Sequence, residues 1–236
     1  MLPKASLPVY TVLLPSTDEE IKFKPWRVSH LKSLLIAHES NEQDVMLDTI
    51  KDVVASCLVS KHDVNKMAIF DLEYLFIQIR AKSVGEVSEL IFSCDVCESE
   101  TARIKISFNL TNMKVVKNEN HTKRIPLFDD VGVVMKYPSF KLLKMYSDLQ
   151  QDDYQLAFDM IIESIDYVYD KNEIHSNEDT SKEELESFLN DLTDEMLSKI
   201  MVFFETMPKL SQRVQYKCPE CGLQHDKVME GIEHFF

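Results

Sequence analysis

Four of the five cysteines fall into two Cys-x-x-Cys pairs, Cys94/Cys97 and Cys218/Cys221. Thiolates separated by two residues on a tight turn supply two ligands of a tetrahedral Zn²⁺ site without strain, so two such pairs supply all four. The second pair stands in Lys217-Cys218-Pro219-Glu220-Cys221-Gly222, where Pro219 presets the turn and Gly222 tolerates a positive φ that aims backbone amides at sulfur. The first, Cys94-Asp95-Val96-Cys97-Glu98, has neither residue and rests on its flanks. A zinc held by four thiolates has no open position, so the expectation is one structural zinc per chain, with Cys94, Cys97, Cys218 and Cys221 as ligands. The competing readings are reduced pairs without metal, two disulfides, or a thioredoxin-like redox pair. Residues Met1 to Tyr10 lack the apolar run of a secretory signal, which counts against an oxidising compartment. His225 is near enough in sequence to substitute as a ligand or to cap the site, and Cys57, in an apolar helical stretch, is expected as a buried thiol.

The pairs need hairpins to present them. Leu90 and Phe92 alternate toward Cys94, and Ile104, Ile106 and Phe108 alternate after Cys97; Val214 and Tyr216 repeat that parity before Cys218, with Val228 beyond. Period-2 runs on both sides of a Cys-x-x-Cys turn describe two hairpins of one design. Neither closes a metal site alone, so the chain must return to join them as a split zinc ribbon.

The remaining elements follow from periodicity. Val9 to Leu14 and Ile21 to Lys24 flank a Pro15-Ser16-Thr17-Asp18 turn and predict an N-terminal β-hairpin. Leu31, Leu34, Leu35 and His38 mark one helical face, Val45, Thr49, Ile50, Val53, Val54 and Cys57 a second, and Leu72, Leu75, Phe76 and Ile79 a third. A strand is expected at Val131 to Tyr137. A second helical group opens at Pro138, with Phe140, Leu143 and Tyr146 on one face, and its next helix carries Tyr154, Phe158, Ile161, Ile162, Ile165, Val168 and Tyr169. Ser181-Lys182-Glu183-Glu184 fits a capping box, and Thr193 or Asp194 opens a last helix with Met196, Ile200, Phe203, Phe204 and Met207, ended by Pro208. The fold class expected is α+β, one interlocked domain over 1–236. Its subregions are an N-terminal hairpin at 1–26, a helical group at 27–83, the first zinc hairpin at 84–108, loop and strands at 109–137, a second helical group at 138–207 and the second zinc hairpin at 208–236.

Composition narrows the function. With 26 Lys and Arg against 40 Asp and Glu, the formal charge is −14, which repels phosphate backbones, and no basic cluster offsets it; direct nucleic-acid binding is not expected. The four glycines, Gly85, Gly132, Gly222 and Gly231, are too far apart for a P-loop, a dinucleotide fingerprint or a nucleophile elbow. No run is long enough to span a bilayer. The seven histidines form no His-Glu-x-x-His pattern. Asp63 after His62 is expected to cap a helix start, Asp129/Asp130 to make a turn, and Asp152/Asp153 to begin a helix. No catalytic or cofactor-binding residue emerges, and the chain is not expected to be an enzyme.

Several segments carry a family likeness: Leu2-Pro3-Lys4-Ala5-Ser6-Leu7-Pro8, Phe23-Lys24-Pro25-Trp26, Phe70-Asp71-Leu72-Glu73-Tyr74, Lys82-Ser83-Val84-Gly85-Glu86, Met135-Lys136-Tyr137-Pro138, and Phe203-Phe204-Glu205-Thr206-Met207-Pro208-Lys209-Leu210, with the terminal Phe235-Phe236. In their order and spacing over nearly the full length they resemble the baseplate hub subunit family of T-even-type contractile-tailed bacteriophages. The resemblance implies a late phage tail protein, a structural component or an assembly chaperone of the baseplate hub, whose partners are other hub proteins or the tail tape-measure protein. It implies a place in the host cytoplasm during assembly, or in the virion baseplate. The N-terminal Pro-rich arm and the aromatic C-terminus are candidate contacts, or simply pack on the fold. The alternative is a zinc-ribbon regulator that binds transcription or replication proteins. The residues do not fix an oligomeric state.

Overall fold

The computed structural model describes residues 5–97, 103–142 and 154–232, which divide into two compact units. The first combines Met1–Val116 with Lys209–Phe236, and the second is the intervening Lys117–Pro208.

In the first unit, β1 (Tyr10–Leu13) and β2 (Glu20–Phe23) pair antiparallel with Val12 opposite Ile21. The alternation at Ile21 and Phe23 buries both completely, as period-2 patterning requires of a half-buried strand. Three helices follow, α1 (Val28–Ser40), α2 (Gln43–Cys57) and α3 (Ile69–Ser83). Helix α3 is buried nearly all round, with Leu75, Phe76, Ile77 and Ile79 all at zero exposure, and so forms the centre of the unit. Buried among them is a carboxylate, Asp71, which accepts from the Ser16 backbone N–H at 3.0 Å and from the Ser16 hydroxyl, tying the N-terminal turn to α3. Cys57 is buried, and burial pushes its thiol up to about 11.

Strands β3 (Val87–Ser93) and β4 (Arg103–Asn109) form one hairpin. Strands β10 (Lys209–Lys217) and β11 (Gln224–Glu230) form another, extended by β5 (Lys114–Val116) into a three-stranded sheet in the order β11-β10-β5. Lys209 lies opposite Val116, so the chain re-enters the unit beside the point where it leaves.

The second unit is a four-stranded antiparallel sheet, β6 (Arg124–Phe128), β7 (Val131–Met135), β8 (Ile165–Tyr169) and β9 (Ile174–Ser176) in that order. With it go α4 (Tyr154–Ser164), α5 (Lys182–Asn190) and α6 (Asp194–Thr206). Ile125, Val133, Ile161, Ile165, Leu185 and Phe203 are among the residues of one shared core. Ser181 accepts from the Glu184 N–H while the Glu184 carboxylate accepts from the Ser181 N–H, the reciprocal box expected at α5, and Thr193 caps α6. Gly132 admits no side chain: a Cβ there would lie 2.3 Å from the Tyr169 hydroxyl oxygen and 2.5 Å from the Ile125 carbonyl oxygen.

Two expectations are corrected. The helix drawn through Val168 and Tyr169 ends at Ser164, and Ile165 to Tyr169 is the strand β8. Over that short span the apolar positions fit both periods, and the β-branched and aromatic side chains, paired to β7, settle it as strand. The face expected on α1 is also divided. Leu34 and Ala37 face inward, whereas Leu31 and Leu35 are 38% and 54% exposed. Leu143, Tyr146, Asp152/Asp153 and Phe235-Phe236 lie outside the described residues, as does the start of the N-terminal arm.

Candidate metal centre

The two hairpins of the first unit bring the four cysteines together. Their sulfurs all lie within 4.8 Å of one another. Across the hairpins, Cys94 Sγ is 3.8 Å from Cys221 Sγ and Cys97 Sγ is 3.7 Å from Cys218 Sγ. These separations exclude a disulfide, whose sulfurs stand about 2.05 Å apart, and all five cysteines are free. They match the edge of a tetrahedron around zinc, since a Zn–S bond of about 2.3 Å places two sulfurs about 3.8 Å apart. The donor set therefore fits a closed tetrahedral ion in both chemistry and spacing.

Local backbone explains the presentation. In the second knuckle the Gly222 N–H donates to the Cys218 carbonyl at 3.1 Å and the Cys218 N–H donates to the Leu223 carbonyl at 2.8 Å. Gly222 adopts φ +74°, the left-handed conformation that glycine enters at no steric cost. Cys94 and Cys218 are buried, Cys97 is half-buried and Cys221 is exposed.

The electrostatics are those of thiols competing for one negative charge. Cys218 is pulled down to about 7, first by the backbone N–H of Cys221, with the Glu220 N–H also assisting. Cys97 is pushed well above the usual thiol range, first by its contact with Cys221 and then by burial. Four thiolates this close repel one another, and a divalent cation is what would allow all four to ionise.

Sequence reasoning left the role of His225 open between ligand and cap. It is 7% exposed, its Nε2 lies 3.2 Å from Cys94 Sγ, and its ring stacks on Tyr216 with centroids 4.7 Å apart. It touches one sulfur from outside the group of four. Other contacts also join the knuckles. The Tyr216 hydroxyl donates to the Ser93 carbonyl at 3.0 Å, its ring lies 5.3 Å from that of Phe92, and Lys227 Nζ lies 2.8 Å from Asp95 Oδ1. The bond to Lys227 holds the Asp95 carboxyl below its ordinary range. Sequence spacing gave no signal for these partners, although Tyr216 and Phe92 share the parity of the sulfur-bearing face.

Two other acidic positions singled out in the sequence, both among the described residues, shape the backbone. Asp63 accepts from the Asn65 N–H at the start of a short 3-10 turn, and Asp129, at φ +43°, makes the β6–β7 turn. A cleft of about 330 Å³ in the second unit is lined by Ile125, Val202 and Phe203 with Arg124 and Lys199. Arg124 lies over the Tyr169 ring at 3.8 Å and Lys199 stands 3.5 Å from Glu195, so its cations are already engaged. Among the described residues no helix is long and apolar enough to cross a membrane.

Comparison with known proteins places these features in context. The family described as T4 bacteriophage base plate protein matches residues 7–236. The chain is also similar to the baseplate hub assembly protein gp26 of Enterobacteria phage T4, with 26% identity over 219 residues covering 92% of each chain. No solved structure matches it significantly.

Proposed function

The chain belongs to the T4 bacteriophage base plate protein family, and from that membership we propose that it is a non-enzymatic tail protein of the baseplate hub, acting as an assembly factor or structural component by binding other hub or tail proteins. The observation that carries this reading is the likeness to a hub assembly protein along 92% of both chains. The quiet chemistry of the cysteine site agrees with it. A centre closed by Cys94, Cys97, Cys218 and Cys221 leaves no position for substrate, so a zinc there is structural and makes a split ribbon of the two hairpins. Its work is to hold β3–β4 against β10–β11, and thereby to fix surfaces on which partners dock. The same closure suits a single interlocked chain, in which segments 121 residues apart, Cys97 and Cys218, share one ion. The acidic charge of −14 favours protein partners over nucleic acid. The place of action is the host cytoplasm during tail assembly, or the virion baseplate.

The test is affinity capture of the full chain from infected cells, with mass spectrometry of purified virions alongside. Recovery of tail proteins is expected. Recovery of polymerase or replication proteins in their place would overturn the hub role and favour a ribbon-type regulator. Presence of the chain in purified virions identifies a component, and its absence from them a departing assembly factor.

A further inference from the structure

Helix α1 turns an apolar face outward. Val28, Leu31, Leu35 and Ile36 are 70%, 38%, 54% and 67% exposed, whereas Leu34 and Ala37 on the opposite side are buried. Spacings of i, i+3, i+7 and i+8 put the four exposed side chains on one stripe, about 100° per residue around the axis. The stripe lies within a stretch free of acidic residues. From Ile21 to His38 there is no Asp or Glu, while Lys22, Lys24, Arg27 and Lys32 carry positive charge. Lys24, Arg27 and Lys32 are exposed and form no ion pair among the described residues. An acidic protein, with 40 Asp and Glu against 26 Lys and Arg, thus sets three unpaired cations, Lys24, Arg27 and Lys32, beside the N-terminal part of this aliphatic stripe, with one exposed carboxylate, Glu39, a turn beyond Leu35.

We infer that this face of α1 docks an acidic amphipathic helix of a partner protein, its apolar ridge on Val28, Leu31 and Leu35 and its carboxylates against Arg27 and Lys32. Helix-on-helix docking uses anchors at these spacings, and opposite charges on the rim set orientation and partner choice. Charge decides among the possible occupants. A second copy docked through the same face would bring its Lys32 toward the first. An anionic membrane would attract the rim but repel a chain of net charge −14, and the stripe has none of the Trp or Phe that anchor interfacial helices. The inference rests on the hub role above only for which protein supplies the helix.

The test places the photoreactive residue p-benzoylphenylalanine at position 35 of the full chain, irradiates infected cells and identifies the adduct by mass spectrometry. The expected adduct is to a segment with net negative charge and apolar residues at helical spacing. Its yield should fall about tenfold when Arg27→Glu and Lys32→Glu are combined, and about as far when the probe is moved to Ser33 on another face. Circular dichroism confirms that the exposed substitutions leave the fold intact. No adduct, an adduct equally strong from position 33, a lipid adduct, or an adduct to a second copy would each overturn the inference. Capture of tail proteins without an adduct from position 35 defeats this surface and leaves the hub role standing. An acidic helix from a non-tail protein supports the surface and defeats the hub role.

Discussion

Replacing Cys218 by serine tests how the two hairpins are held, and its size follows from what remains. Without the metal, the knuckles share the Tyr216 to Ser93 hydrogen bond, the His225–Cys94 contact, the Tyr216–Phe92 ring contact and the exposed Lys227–Asp95 pair. The hydrogen bond is worth about 1 kcal/mol and the ring pair about 1 kcal/mol. The ion pair, with side chains 38% and 60% exposed, is screened by solvent and adds little. With the His225–Cys94 contact counted as a second hydrogen bond, roughly 3 kcal/mol opposes separation of the knuckles, against an apparent 10–16 kcal/mol for a structural zinc at neutral pH. Cys218→Ser removes a thiolate that is buried and opposite Cys97. The variant is expected to lose its zinc and to unfold at least 10 °C lower, since about 1 kcal/mol shifts the midpoint by roughly 2–4 °C in a chain of this size. Hydrogen exchange should accelerate first in Ser93–Cys97 and Cys218–Gln224. An unchanged melting temperature, with unchanged exchange in both turns, would refute the idea that the two pairs share an ion.

Other perturbations probe the frame around the site. Gly132→Ala should cost at least about 1–3 kcal/mol, because its Cβ would press on the Ile125 carbonyl of the paired strand as well as on Tyr169; urea denaturation measures it, and a neutral effect would contradict the close approach of β7 and β8. Asp71→Ala should cost about 3 kcal/mol by the same assay, since it leaves the Ser16 N–H and hydroxyl without their buried acceptor. Asp226 has its carboxyl pulled down to about 2, first by the Arg213 guanidinium and then by Gln215. A depressed carboxylate pKa gives stability that is present above the unfolded value near 3.9 and is lost as pH falls through the folded value. Asp226→Asn should therefore flatten the stability profile between about pH 4 and pH 2, measured by thermal melts across that range; an unchanged acid slope would count against the pairing.

The candidate site was largely legible because its signals are local. Thiol spacing, the Pro219 and Gly222 turn residues and the alternation of Phe92 and Tyr216 each point to hairpins bearing paired ligands, and the structure joins the pairs. The capping box at Ser181 and the N-cap at Thr193 were legible for the same reason. What escaped depends on distant partners. Ile165 to Tyr169 becomes strand because β7 and β9 pair with it on both sides. The three residues of β5 are too few for a periodicity and are fixed by Lys209 to Ser211. On α1, spacing alone could not say which of the adjacent leucines, Leu34 or Leu35, faces the core, because both lie on an apolar half of the helix. The place of Asp71 carried one faint signal, a carboxylate between Phe70 and Leu72 in a helix rich in large apolar residues.

The central claim, a hub protein clasped by one four-thiolate zinc, is tested most directly by native mass spectrometry of the full chain, freshly purified under reducing conditions. The account predicts one zinc per chain, with Cys94, Cys97, Cys218 and Cys221 resisting alkylation until a chelator is added. A metal-free chain whose four thiols alkylate at once would contradict it.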